Sequence, residues 1–117
     1  MNVSSLIDFL IHPGEDAEGL LAILANRRRL VILCNLVLDG ELAVGELVRR
    51  LNIAQSALSQ HLALMRAAGI VSTRREGTTI YYSLTDERTR AMLSAIREVL
   101  GPADMARTPR EEVRLAG

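Results

Sequence analysis

Apolar positions recur at helical spacing through most of this chain and switch to strand-like alternation once. Residues 3–11, VSSLIDFLI, predict a short apolar helix that ends at His12-Pro13-Gly14. A second helix is predicted over residues 15–24, with Glu15, Asp16 and Glu18 in its first turn, where the helix dipole favours acids. Asn26 is a good N-cap for a third helix, from Arg27 to about Leu38, stopped by Asp39-Gly40. Leu30, Cys34, Val37 and Leu38 share one side of that helix and read as its inner face.

Val44, Leu47, Val48 and Leu51 repeat the i, i+3, i+4, i+7 pattern over Ala43 to Leu51. After the break at Asn52-Ile53-Ala54 a longer helix is predicted from Gln55 to Ala68, with Gly69 as its left-handed cap. Two short helices joined by so tight a turn suggest a helix-turn-helix. Past Gly69 the period becomes two: residues 70–75, IVSTRR, and 79–84, TIYYSL, flank Glu76-Gly77-Thr78 and read as a hairpin. Of Tyr81 and Tyr82, one is expected to pack inward and one to reach out. Thr85 is placed as the cap of a last helix, from Asp86 to about Leu100, with Met92, Leu93, Ile96, Val99 and Leu100 on one side, broken by Gly101-Pro102. The organisation expected is an N-terminal helical extension (1–14), a main domain (15–100) and a flexible tail (101–117).

Stepping about 100° per residue from Gln55 sorts the faces of the helix after the turn. Ser56, Ser59, Gln60, Ala63 and Arg66 fall on the Gln55 side, and Ala57, Leu58, His61, Leu62, Leu64, Met65 and Ala68 on the other. A face of short hydrogen-bonding side chains can enter a major groove, where Gln can pair with adenine and Ser with several base edges or a phosphate. Any solvated helix face is polar too. The short helix before it and a hairpin carrying Arg74 and Arg75, suited to phosphates or the minor groove, favour DNA binding. His61 lies in the apolar arc and reads as a structural histidine before a base contact. Arg27, Arg28 and Arg29 are either a phosphate patch or solvated charge, and Arg49 and Arg50 carry the same two readings.

Composition narrows the class. The 117 residues are one domain's worth, 49 % apolar, with a formal net charge of zero. All fourteen basic residues are arginine. Three aromatics (Phe9, Tyr81, Tyr82) leave an aliphatic core, and the single Cys34 excludes an intrachain disulfide or a multi-cysteine zinc site. No apolar run approaches a membrane span and no basic stretch precedes the first apolar patch, so a cytoplasmic protein is expected. The zero charge hides an uneven distribution: residues 1–25 carry −4, residues 26–85 carry +4 and residues 86–117 are balanced. The basic middle is where an anionic partner would bind.

These residues carry a resemblance. The run ELAVGELVRRLNIAQSALSQHLALMRAAGIVSTRREGTTIYYSL (41–84), preceded by LAILANRRRLVILCNL (21–36), resembles the winged helix-turn-helix of the ArsR/SmtB family of bacterial transcriptional repressors, nearest its sulfide/redox-responsive and nodulation-regulator-like members. The resemblance implies a mainly α, winged helix-turn-helix fold of five to six helices plus one hairpin wing. It also implies a homodimer paired through first and last helices, and repression by occupying a palindromic operator on double-stranded DNA. By it Gln55, Ser56, Ser59 and Gln60 read DNA while Arg74, Arg75 and Thr78 serve the wing.

The chain departs from the family at several positions. Ala54 stands where the family often has a serine N-cap, so the reading helix starts less firmly or Ser56 takes over part of that role. The Cys-x-Cys of arsenic-sensing relatives is replaced by Ala43-Val44-Gly45. The last helix has no histidine, and Asp86, Glu87 and Glu98 are a poor zinc set, so no metal or other cofactor is expected. Cys34 resembles the first of two cysteines in the persulfide-responsive subgroup, but its partner is missing. It is a lone oxidisable thiol, an intersubunit link or an inert apolar residue.

The expectation is a sequence-specific repressor, not an enzyme, with Leu6, Phe9, Leu20, Leu24, Met92, Ile96 and Leu100 at a dimer interface. The alternatives are a repressor sensing oxidants or persulfides through Cys34, and a winged-helix protein-interaction module.

Overall fold

The computed structural model describes residues 2–11 and 17–101. Among them are six helices, α1 (Val3–Ile11), α2 (Ala17–Leu24), α3 (Arg27–Asp39), α4 (Val44–Leu51), α5 (Gln55–Ala67) and α6 (Glu87–Leu100). Three strands, β1 (Leu42–Ala43), β2 (Val71–Glu76) and β3 (Thr79–Leu84), form an antiparallel sheet in the order β1-β3-β2. This is a winged helix-turn-helix, with one strand more than the sequence pattern predicts. A two-residue strand has no alternation to detect; β1 exists because Leu42 and Ala43 pair with Tyr82 and Tyr81. The predicted tail beyond Gly101, Glu15, Asp16 and the His12-Pro13-Gly14 break lie outside the described residues.

Helix α3 packs against α2, α4, α6 and β3. It starts where Asn26 Oδ1 accepts the Arg29 N–H at 3.0 Å and stops at Gly40, which adopts a positive φ of 81°. Its buried stripe is Ile32, Leu33, Asn35 and Leu36, not the predicted Leu30, Cys34, Val37 and Leu38. Leu30 and Cys34 are half-buried, and Val37 and Leu38 are exposed at 39 % and 41 %. The reason is chemical: both sides of LVILCNLVL are apolar, so periodicity alone cannot say which is inside. Asn35 is buried because its amide donates to the Val31 carbonyl at 2.9 Å, satisfying part of its polar head.

One core joins Ile32, Leu33 and Leu36 to Leu47 and Leu51 of α4, Leu58, Leu62 and Met65 of α5, and Ile70, Val71 and Leu84 of the sheet region. Each such side chain contributes roughly 1.5–3 kcal/mol by leaving water. Tyr82 packs against this core while Tyr81 lies under Arg74 on the outer side, so the tyrosines do alternate.

The cap of α6 is Asp86, not Thr85. The Asp86 carboxylate accepts from the Thr89 backbone N–H at 3.0 Å and from its hydroxyl at 2.6 Å. The Thr85 hydroxyl is engaged elsewhere, 2.7 Å from that of Ser72. Helix α1 buries none of its residues, and Val99 and Leu100 at the end of α6 are 77 % exposed.

Candidate nucleic-acid interface

Three features set the pose of α5. Its buried arc, Leu58, Leu62 and Met65, is fixed in the core. Before it, Asn52 closes α4 in the left-handed region (φ 52°), its N–H donating to the Val48 carbonyl at 3.0 Å, and Ile53 plugs the turn into the core. After it, Gly69 (φ 75°) lets its N–H reach the Arg66 carbonyl at 3.0 Å and the Ile70 N–H reach the Met65 carbonyl at 2.9 Å. That is a Schellman ending, with Ile70 and Met65 buried as its hydrophobic contact.

The face left outside is the predicted one: Gln55, Ser56, Ser59, Gln60 and Arg66 are all exposed. Leu64 and Ala68, assigned to the inner arc, are exposed as well, Leu64 by 46 %. The buried arc is therefore narrower than the apolar one and centred on Leu58, Leu62 and Met65. Ala54 gives α5 no side-chain cap. His61 is half-buried, and burial, then the charges of Arg29 and Arg28, hold its imidazole below its ordinary proton affinity. The start of α3 thus lies near α5, a neighbourhood that separation in sequence conceals.

The arginines divide by task. Arg29 donates Nε to the Ile23 carbonyl (2.8 Å) and Nη2 to that of Ala22 (3.2 Å), closing the end of α2, whereas Arg27 and Arg28 are exposed. Arg50 ties α4 to the end of α3 through Asp39 and pairs with Glu46 at 3.2 Å. Arg49 also pairs with Glu46 but is well exposed.

On the wing, Arg74 and Arg75 are consecutive and so point to opposite faces of β2. Arg75 donates Nε to the Gly77 carbonyl at 3.2 Å, bracing the two-residue turn in which Thr78 is exposed. Gly77, at φ 63°, supplies the positive φ of that turn. Arg74 is paired with Glu41 at 2.6 Å and Glu76 at 2.9 Å, which lowers the Glu41 carboxyl below its ordinary range. The predicted arginine pair is therefore split between the two faces, one member saturated by carboxylates.

Cys34 is a half-buried free thiol, and burial pushes its proton affinity up. Among the described residues no cluster of three or more His, Cys, Asp or Glu could hold a metal ion. No described helix is long and apolar enough to cross a membrane. Of the predicted interface residues, Leu6, Phe9 and Leu100 are exposed, and Leu20, Met92 and Ile96 are half-buried. Leu24 is only 5 % exposed and lies in the chain's own core, where it is already covered.

Residues 26–73, from the α3 cap into β2, match the bacterial regulatory protein, arsR family. The transcriptional activator HlyU of Vibrio cholerae is 50 % identical over 83 residues, 71 % of this chain and 76 % of that protein. The chain belongs to the ArsR family. The nodulation protein NolR of Rhizobium meliloti is 47 % identical over 90 residues, 74 % of this chain and 73 % of its own. The crystal structure of the transcriptional repressor BigR from Xylella fastidiosa superposes with a TM-score of 0.72 at 33 % identity, covering 86 % of this chain and 97 % of that one. This ArsR-family chain is a DNA-binding transcriptional regulator, and its relatives are regulators rather than enzymes.

Proposed function

We propose that this ArsR-family chain is a cytoplasmic, nucleoid-associated repressor that binds a palindromic operator as a homodimer and works without the family's metal sites. The observation that carries the reading is the pose of α5. Leu58, Leu62 and Met65 anchor it while Gln55, Ser56, Ser59, Gln60 and Arg66 face outward as a strip of short donors and acceptors. Such a strip fits the major groove, with Gln on adenine edges and Arg66 on phosphate or guanine. Arg75 and Thr78, both exposed at the wing tip, are assigned to the neighbouring backbone.

Exposed apolar surface supports pairing with a second copy. Leu6, Ile7, Phe9, Leu10, Val99 and Leu100 are exposed on the first and last helices, more than a monomer ordinarily leaves in water. A two-fold pairing through them would present two copies of α5 to grooves about one helical turn apart. Leu6, Phe9, Leu20, Met92, Ile96 and Leu100 carry that interface. Occupancy of a promoter then blocks transcription.

Cys34 is read as an apolar residue rather than a sensor, because burial keeps its thiol protonated and the thiolate is the reactive form. The experiment is a binding comparison on a fragment of the protein's own promoter. Replacing Ser59 and Gln60 by Ala should weaken binding and relax sequence preference, by about 1–3 kcal/mol per lost base contact. Unchanged affinity and preference would refute the assignment of α5 as the reading helix.

A further inference from the structure

The wing holds an arrangement that the DNA-binding reading does not require. Glu41, immediately before β1, presents its carboxylate to Arg74 in a two-point contact: Nη2 to Oε1 at 2.6 Å and Nε to Oε2 at 3.2 Å. Glu76, on the same face of β2, takes the remaining nitrogen, Nη1, at 2.9 Å. The guanidinium carbon sits 4.6 Å from the centre of the Tyr81 ring, on the facing position of β3. Arg74 is therefore engaged on every nitrogen and on its π face, and the cluster carries a formal charge of −1 where a phosphate-binding wing calls for a cation.

The cluster is at the surface: the side chains of Arg74, Glu41 and Glu76 are 50 %, 41 % and 69 % exposed. Exposed pairs of this kind are worth only about 0–1 kcal/mol each, because water and salt screen them. A backbone phosphodiester offers the same acceptor geometry and the same single negative charge, reinforced by its neighbours along the strand. The guanidinium can exchange one oxyanion partner for another, but each phosphate contact then requires giving up a carboxylate contact already made.

We propose that Glu41 and Glu76 are affinity-setting residues that hold Arg74 away from the DNA backbone, so that the wing engages phosphate only by displacing a carboxylate. This deepens the DNA-binding reading and rests on it. The acids limit the sequence-independent part of the affinity, since arginine–phosphate contacts supply most non-specific binding. Discrimination between operator and other DNA is thereby left to the face of α5.

The test uses the full chain on a duplex fragment of its own promoter and on an unrelated duplex, each titrated at several salt concentrations. The variants are Glu41→Gln, Glu76→Gln, Arg74→Ala and the double variant Glu41→Gln/Arg74→Ala. Both glutamine variants should bind the two duplexes several-fold more tightly than the native chain. Their salt slopes should steepen by roughly 0.9 for each arginine released to phosphate. The gain of Glu41→Gln should vanish in the Arg74→Ala background. Unchanged or weakened binding by the glutamine variants would overturn the proposal, as would a gain that persists without Arg74, which would reduce Glu41 to a distant charge. Glu76, beside the exposed turn, gives an independent reading should Glu41→Gln disturb the sheet. A native chain that binds neither duplex would refute the DNA-binding reading and the affinity-setting role together, whereas native binding indifferent to the substitutions would refute only the latter.

Discussion

Gly69 decides where α5 ends. Its φ of 75° is one that L side chains rarely adopt, yet nothing lies within 4 Å of the place a Cβ would occupy. Gly69→Ala should therefore cost about 1–2 kcal/mol of backbone strain and nothing in packing, measured as a drop in the urea midpoint at unchanged slope. Asp86 makes a pH-dependent case. Burial raises its proton affinity, but the Thr89 hydroxyl and N–H and the Arg88 guanidinium outweigh that and hold the carboxyl below its ordinary value. Between the ordinary and the lowered value the unfolded chain is protonated and the folded one is not. The stabilisation is complete above that window and is lost as pH falls through it. Asp86→Ala should cost about 1 kcal/mol near neutrality, and the gap between variant and native chain in urea unfolding should close in acid. Both residues illustrate what a sequence shows at this scale. Gly69 is legible because a left-handed cap has few candidates. Thr85 and Asp86 are both good caps, and what separates them is non-local on one side, the Ser72 hydroxyl that engages Thr85, and on the other the Thr89 N–H and hydroxyl that engage Asp86.

At the scale of elements, legibility followed one-sidedness. Helices α4 and α5 have polar and apolar sides, and their buried residues come from the apolar side that the sequence marks. Between Leu30 and Leu38 helix α3 is apolar on both sides, so its inner stripe is set by where α4, α6 and β3 lie, which no local pattern contains. The exchange is testable: Leu33→Ala or Leu36→Ala should cost about 2–5 kcal/mol through the cavity left behind. Val37→Ala should cost much less. Equal costs would place both stripes inside. The hairpin was legible from the Glu76-Gly77-Thr78 break, although Glu76 pairs with Thr79 and only Gly77-Thr78 form the turn, but β1 was not, because its pairing is wholly non-local. The arginines were the least legible part of the site. A guanidinium signals an anionic partner without saying whether that partner is DNA, a helix end (Arg29) or a carboxylate (Arg50, Arg74).

For the whole molecule, the described fold leaves apolar surface on α1 and the end of α6, which we assign to a second copy of the chain. Replacing Leu6 and Phe9 together by Arg should halve the mass seen by sedimentation and weaken operator binding by orders of magnitude, because two linked reading helices bind far more tightly than one. An unchanged mass would remove these residues from the interface. The net charge of +4 over residues 26–85 belongs to this scale too, and on the proposed reading it is expected to draw the chain to DNA before any base is read. Whether the regulator reads DNA through α5 is decided by titrating the purified native chain on its own promoter and on a scrambled duplex of equal length, from low to physiological salt. Binding should be salt-sensitive on both, with a preference for the promoter that persists as salt rises and is weakened by Ser59→Ala/Gln60→Ala. Equal affinity for the two duplexes at every salt concentration would contradict reading through α5.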